Sequence, residues 1–298
     1  MNLKIWIKET RPQFLLLSLA LVLLGTSVAC SDGYFNPIKF ILTAAGLLLA
    51  HASVNVLNDY FDFKSGIDAQ TTPTSFSGGS GILTKGLLKP ESVCRFGLVT
   101  LAIAFFIGIY LTIYSGWQLL VLIFIGGLVI FFYTPFLTKW LIGELWAGLG
   151  LGTLPVIGTY FVQTGSLSLE ILIVSLVPGF LTANLLLLNE FPDLEADRKG
   201  GRYHLVIALG RKKAAVVYAG IMLLTYGCIT GGVISKIMPY HALLALLTII
   251  FALKAVIITF SNNNNLEKMI AALRFNVITV LGTDVFLAFG YFIDFVMQ

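Results

Sequence analysis

"NVLNDYFDFKSGID", Asn55 to Asp68, closes a long apolar run, and its reading decides the fold. It gathers Asn55, Asn58, Asp59, Asp62 and Asp68 at the end of a stretch that otherwise carries almost no charge. A second stretch, "NEFPDLEADRKGG", Asn189 to Gly201, follows another apolar run in the same way. Carboxylates beside hydrocarbon are costly, so their default reading is functional.

Outward from these stretches the chain is oily. It has 298 residues, of which 57% are hydrophobic and 11% charged, against about 25% charged in soluble domains. Mean hydropathy is +0.92. A membrane-spanning helix needs about 20 mostly apolar residues. The sequence offers about nine such segments: 13–30, 37–57, 95–114, 117–133, 140–163, 169–188, 213–234, 239–260 and 275–297. Trp6, Tyr34, Tyr114, Trp117, Tyr133, Trp140 and Tyr240 flank their ends, as interfacial aromatics do. The expected fold is an all-α integral membrane protein, a bundle of about nine helices around a cytoplasm-facing cavity. The basic N-terminus lacks a small-residue cleavage site and is read as leading into the first span. Three cysteines, Cys30, Cys94 and Cys228, all in or beside apolar segments, argue against a disulfide scaffold.

Basic residues orient the bundle. Sixteen of the 19 Lys and Arg fall in alternate connections, including Lys4, Lys8, Arg11 and the run from Arg198 to Lys213. Lys39 and Lys236 are on the opposite side. The bias predicts a cytoplasmic N-terminus and an external C-terminus. Both acidic stretches then lie on the cytoplasmic side, among the densest positive charge.

The acids have helical spacing. Asn55, Asp59 and Asp62 follow i, i+4, i+7; Asn189, Asp193 and Asp197 follow i, i+4, i+8. Each set shares a face if its helix continues, and Pro192 is where the second helix would kink or restart. A single cluster is as often a solvated helix end. Two matching clusters on one side, each opening a basic loop, favour a site. Facing carboxylates repel unless a cation intervenes. Hard oxygen donors suit Mg²⁺, which shares its shell with water and substrate phosphate, and nearby Lys and Arg suit the phosphate. The run "TTPTSFSGGSGILTKG", 71–86, reads as a flexible cover whose backbone N–H groups could cradle it. The paired stretches hint at two similar halves, about 1–135 and 136–298, within one 1–298 domain, although no repeat is visible outside them. A cation-coupled transporter is the competing class, but transporter sites sit near the midplane. A membrane phosphotransferase of the CDP-alcohol type would need a DG-x-x-A-R run, which neither stretch has.

These motifs resemble the intramembrane aromatic prenyltransferases of the UbiA superfamily. The resemblance rests on Asn55-xxx-Asp59-xx-Asp62 followed by "GID", on Asn189-xxx-Asp193-xxx-Asp197 followed by "RKGGRYHLVIALGR", and on Arg11–Pro12 before the first span. "NDYFDFKSGID", "FSGGSGIL" and "IGELWAGLGLGTLPVIGTYFVQTG" are most similar to the branch that prenylates 1,4-dihydroxy-2-naphthoate in menaquinone biosynthesis. The resemblance implies Mg²⁺ held by Asn55, Asp59, Asp62, Asn189, Asp193 and Asp197, the four Asp being the catalytic set. It implies a polyprenyl diphosphate contacted by Arg198, Lys199, Arg202 and Lys139. An aromatic acceptor near Glu144, Tyr133 and Asp68 completes the set, with the bilayer as the other partner and no nucleic acid. 4-Hydroxybenzoate, haem, chlorophyllide or a lipid glycerol ether are the other acceptors within the superfamily. The chain departs from the family pattern where Asn-Asn becomes Asn189–Glu190 and where Lys-Thr becomes Arg202 and His204.

Among lesser candidates, Glu144 early in the fifth segment must be paired or cavity-facing. Lys254 is expected to snorkel, and Asp284 to pair with a polar neighbour such as Asn184. His51, His204 and His241 show no metal-ligand spacing.

Overall fold

A computed structural model describes residues 3–68, 79–132 and 141–297. Among the described residues there is no strand. The helices are α1 (Leu3–Glu9), α2 (Pro12–Ser31), α3 (Pro37–Ser65), α4 (Pro90–Ser115), α5 (Gln118–Phe132), α6 (Gly143–Gly148), α7 (Leu154–Thr164), α8 (Leu169–Lys199), α9 (Leu205–Ile234), α10 (Ile249–Asn262) and α11 (Leu266–Met297). A π-helical turn, Leu149–Thr153, joins α6 to α7, and a 3₁₀ stretch, Tyr240–Thr248, leads into α10.

Local sequence sets the helix ends. Pro12, Pro37 and Pro90 occupy first helical positions, where no N–H is needed. Asn36 caps α3 by accepting from the N–H groups of Ile38 and Lys39, and Ser168 caps α8 through Ile171. Such caps are each worth about 1 kcal/mol. Gly66, at φ 78°, ends α3. Gly210 (φ 75°, ψ 157°) breaks α9 after its first turn.

Among the described residues, each expected apolar segment falls on helical structure, and eight helical units are long and apolar enough to cross a membrane. The remaining one, α5, is a shorter apolar helix of 15 residues. The expected boundaries change most at the acidic ends: α3 runs to Ser65 and α8 to Lys199, past the apolar runs that announced them. Pro192 sits inside α8 without ending it. Both acidic sets therefore ride on helix extensions and keep one face.

The largest core joins α2, α8, α9, α10 and α11 around Leu21, Leu181, Leu187, Tyr218 and Tyr291. Membrane bundles rely on close backbone approach at small residues, and the π turn makes one against α8. A Cβ on Gly152 would stand 2.5 Å from the Pro178 carbonyl oxygen, and one on Gly148 2.5 Å from that of Gly179. This approach brings Glu144, on α6, beside the far end of α8.

Asp284 is fully buried in α11. Its expected partner Asn184 instead donates to the Tyr218 carbonyl, and Asn276 donates to that of Asn184. Among the described residues neither Asp284 oxygen has a hydrogen-bond partner. Lys254 lies over the Phe275 ring at 5.3 Å.

Candidate active site

The two helix extensions meet at a cavity of about 240 Å³. Asn55, Asp62 and Asp68 come to it from the α3 side, and Asn189, Asp193 and Asp197 from α8. Arg11 and Arg202 supply the cations on its wall. Arg202 bridges the two motifs: Nη2 donates to Asp62 Oδ1, and Nη1 donates to Asp197 Oδ1 at 2.8 Å. One guanidinium fork thus spans carboxylates from helices distant in sequence, the geometry that Arg supplies and Lys does not.

Asp59 lies just behind this wall, and 1% of it is exposed. Its Oδ2 accepts the Ser80 N–H at 2.8 Å, while its Oδ1 is buried without a hydrogen-bond partner. Gly79 passes against Asp68 and Asp59 so closely that a Cβ would stand 3.1 Å from the Asp68 carboxylate. The described end of the expected glycine-rich cover therefore does lie over the first motif; 71–78 fall outside the described residues. Ser80 also donates its hydroxyl to Glu9 Oε2 at 2.7 Å, and Asn55 donates to the Thr10 carbonyl at 2.9 Å. The short α1 and the cover are thereby pinned to the motif. Burial, then the negative charge of Asp59, pushes the Glu9 carboxyl up to about 7. Burial, then Asp62 and Asp59, does the same to Asp68, also to about 7. This excess of confined negative charge is what a cation would relieve.

The second motif has a different surround. Asp197 Oδ2 is 3.3 Å from His204 Nε2, and His204 Nδ1 is 3.2 Å from Glu190 Oε2. Glu144 Oε1 accepts the Leu205 N–H at 2.8 Å. Glu144, Glu190 and His204 form a buried group whose donor atoms lie within 4.8 Å of one another. Sequence spacing gave no sign of it, because three separate segments contribute. Arg198 and Lys199 are exposed, and Arg198 pairs with Glu195 at 3.8 Å, so in this state neither joins Arg202 at the carboxylates. Tyr133 and Lys139 fall outside the described residues.

A second cavity, apolar and about 450 Å³, runs between α3, α4, α5 and α7. It shares His51, Ile130, Gly150 and Leu151 with the acidic cavity, so the two adjoin. His51 is held by Ser18 at 2.9 Å.

The donor set fits Mg²⁺. Carboxylate and amide oxygens converge from two helices, and the buried oxygens Asp59 Oδ1 and Asn189 Oδ1 have no hydrogen-bond partner. The chain is 31% identical over 235 residues to 1,4-dihydroxy-2-naphthoate octaprenyltransferase of Bacillus subtilis, covering 76% of this chain and 72% of that protein. Its fold is similar to the apo structure of a UbiA homologue from Aeropyrum pernix, with a TM-score of 0.71, 19% identity, and 91% and 96% of the two chains covered. It is similar too to a UbiA homologue from Archaeoglobus fulgidus solved with DMAPP and Mg²⁺, with a TM-score of 0.65, 12% identity, and 95% and 98% covered. The model of the UbiA prenyltransferase family matches residues 18–278, and the chain belongs to that family, as an integral-membrane prenyltransferase.

Proposed function

We propose that this enzyme transfers a polyprenyl group from its diphosphate to 1,4-dihydroxy-2-naphthoate, on the cytoplasmic side of the membrane. The observation that carries the reading is the convergence of Asp62 and Asp197 on one Arg202 fork, in a cavity that adjoins an apolar one. The activity for which the Bacillus subtilis relative is named supports the acceptor, and the charge bias supports the orientation.

In this reading Asp59, Asp62, Asp193 and Asp197, with Asn55 and Asn189, hold Mg²⁺. When bound, Mg²⁺ neutralises charge developing on the departing diphosphate. Arg202 and Arg11 add charge-assisted hydrogen bonds to phosphate oxygens. Arg198 and Lys199, exposed at the end of α8, belong to the outer approach. The isoprenoid tail lies in the apolar cavity, whose wall at Gly126, Gly127 and Gly158 is free of side chains. Walls without water protect an allylic cation until the ring attacks it. Glu144 and Asp68 border the acceptor.

The test offers purified enzyme a radiolabelled allylic diphosphate with Mg²⁺ and, separately, dihydroxynaphthoate, menadiol and 4-hydroxybenzoate. Label should pass to dihydroxynaphthoate. Asp59→Asn and Asp193→Asn should each lower the rate at least about 100-fold. Transfer to the benzoate alone would overturn the acceptor and leave the site intact. No transfer to any acceptor, with divalent ions still bound, would return the acids to cation transport.

A further inference from the structure

We propose that Glu144, Glu190 and His204 form a second metal site, separate from the Asp motifs and built for a first-row transition-metal dication of the Zn²⁺ kind. The three residues come from α6, α8 and the turn before α9, and they are 2%, 7% and 3% exposed. Glu144 Oε2, Glu190 Oε2 and His204 Nδ1 are buried without an aligned hydrogen-bond partner. Three such atoms in one place are expensive unless something binds them.

The spacing suits a metal. Zn–N and Zn–O bonds of about 2.0–2.2 Å in a tetrahedron put ligand atoms about 3.4 Å apart. His204 Nδ1 and Glu190 Oε2 stand 3.2 Å apart, and all three donors lie within 4.8 Å of one another. An imidazole with two carboxylates selects a borderline ion over Mg²⁺, whose preferred donors are all oxygen. Two carboxylate ligands would also complement the charge of a dication, which binds them in their deprotonated form.

The outer shell is already built. His204 turns Nε2 toward Asp197 Oδ2 at 3.3 Å and Nδ1 toward the cluster. That is the carboxylate–histidine–metal arrangement that fixes a tautomer. The second oxygen of Glu144 is held by the Leu205 N–H at 2.8 Å. Glu190 and His204 are both walls of the acidic cavity. Three protein ligands leave a fourth position open to that cavity, to take water or an oxygen of a small ligand. Asp197 is shared, with one oxygen toward Arg202 and the other toward His204, so a metal here also fixes a carboxylate of the second motif.

The experiment reads metal, not turnover, so it stands or falls apart from the prenyl-transfer reading. Purified protein is stripped with chelator, re-supplied with Zn²⁺ or Co²⁺ in excess Mg²⁺, and desalted. About one equivalent of Zn²⁺ should remain, and Co²⁺ should give the visible absorption of a low-symmetry N/O site. His204→Asn and Glu144→Gln should each weaken retention about 100-fold or more, while Asp59→Asn keeps it. Elution profile and Tm check that the variants fold. If they do not, the wild-type Co²⁺ spectrum decides alone. A wild type that retains no metal and shows no Co²⁺ absorption overturns the site. So does equal loss in Asp59→Asn and Glu144→Gln, which would put the ion at the Asp motifs.

Discussion

The two acidic motifs have nearly the same spacing and opposite surroundings. The first is covered: Asp59 is bonded by the Ser80 backbone, with Gly79 against it and Glu9 behind. The second is furnished by its own chain, because Arg202 and His204 follow Asp197 closely and turn back onto it. The first motif borrows its strongest cation from the second, through Arg202 to Asp62. Any duplication therefore reaches the carboxylate spacing and not the charge balance. The first motif provides a covered set of negative groups, and the second provides the counter-charge for both.

That difference makes Arg202 the largest lever. Arg202→Gln leaves Asp62 and Asp197 without their shared cation, and kcat/KM should fall about 100-fold, or about 2.7 kcal/mol. Arg202→Lys should recover only part of this, because a point charge cannot span two carboxylates as a fork does. Steady-state rates over a Mg²⁺ series would show it. If Arg202→Gln stays within about threefold of wild type, the motifs are electrostatically independent.

Much of this was legible in the chain. Hydropathy located the apolar segments, and the i, i+4 spacing put each acidic set on one face whether or not the helix outran the membrane. What hydropathy could not show was that α3 and α8 continue as polar helices to Ser65 and Lys199. Charge alone could not separate Arg198 and Lys199 from Arg202. They are one and two residues past Asp197, and on a helix those steps turn the side chain roughly 100° and 200° away from it. Arg202 reaches the carboxylates because the helix has ended and the chain doubles back, its N–H bonded to the Asp197 carbonyl at 3.0 Å. The Glu144–Glu190–His204 group had no local signature, since its members lie on three segments. The one available signal was that Glu190 and His204 are both departures from the family pattern, and the fold brings them into contact. Glu9 was silent in sequence for a similar reason, its partner Ser80 being far along the chain.

The covered and furnished motifs also touch directly, and this contact can be loosened without altering charge. A Cβ on Gly200 would stand 2.1 Å from Ile67 Cγ1 and 2.5 Å from its Cδ1. Gly200 has ordinary helical φ, so Gly200→Ala tests space alone. Overpacking of this kind costs about 1–3 kcal/mol. Tm should drop by roughly 5 °C, and the KM for the diphosphate should rise as the motifs move apart. An unchanged KM with lowered Tm would mean that the separation of the two helices is not what tunes the site.

The smallest effect isolates the cover. Glu9 carries a carboxyl raised from 4.5 to about 7 by burial first and by Asp59 next. The folded protein therefore holds a proton between those values that the unfolded chain has released. Stability from this source is complete below pH 4.5 and is lost as pH rises through about 7. Glu9→Gln stays neutral and can still accept from the Ser80 hydroxyl, so it should lack this slope. In chelator, the Tm of wild type should fall between pH 5.5 and 8 relative to the variant, by about 1 kcal/mol or roughly 2 °C. Arg202→Gln should leave most of the divergence in place, because Glu9 feels Asp59, Asp68 and Arg11 and not the second motif directly. Asp59→Asn should shrink it. Parallel wild-type and Glu9→Gln profiles would mean that the first motif does not share its negative charge with α1, and the contrast between a covered set and a furnished set would then reduce to Ser80 alone.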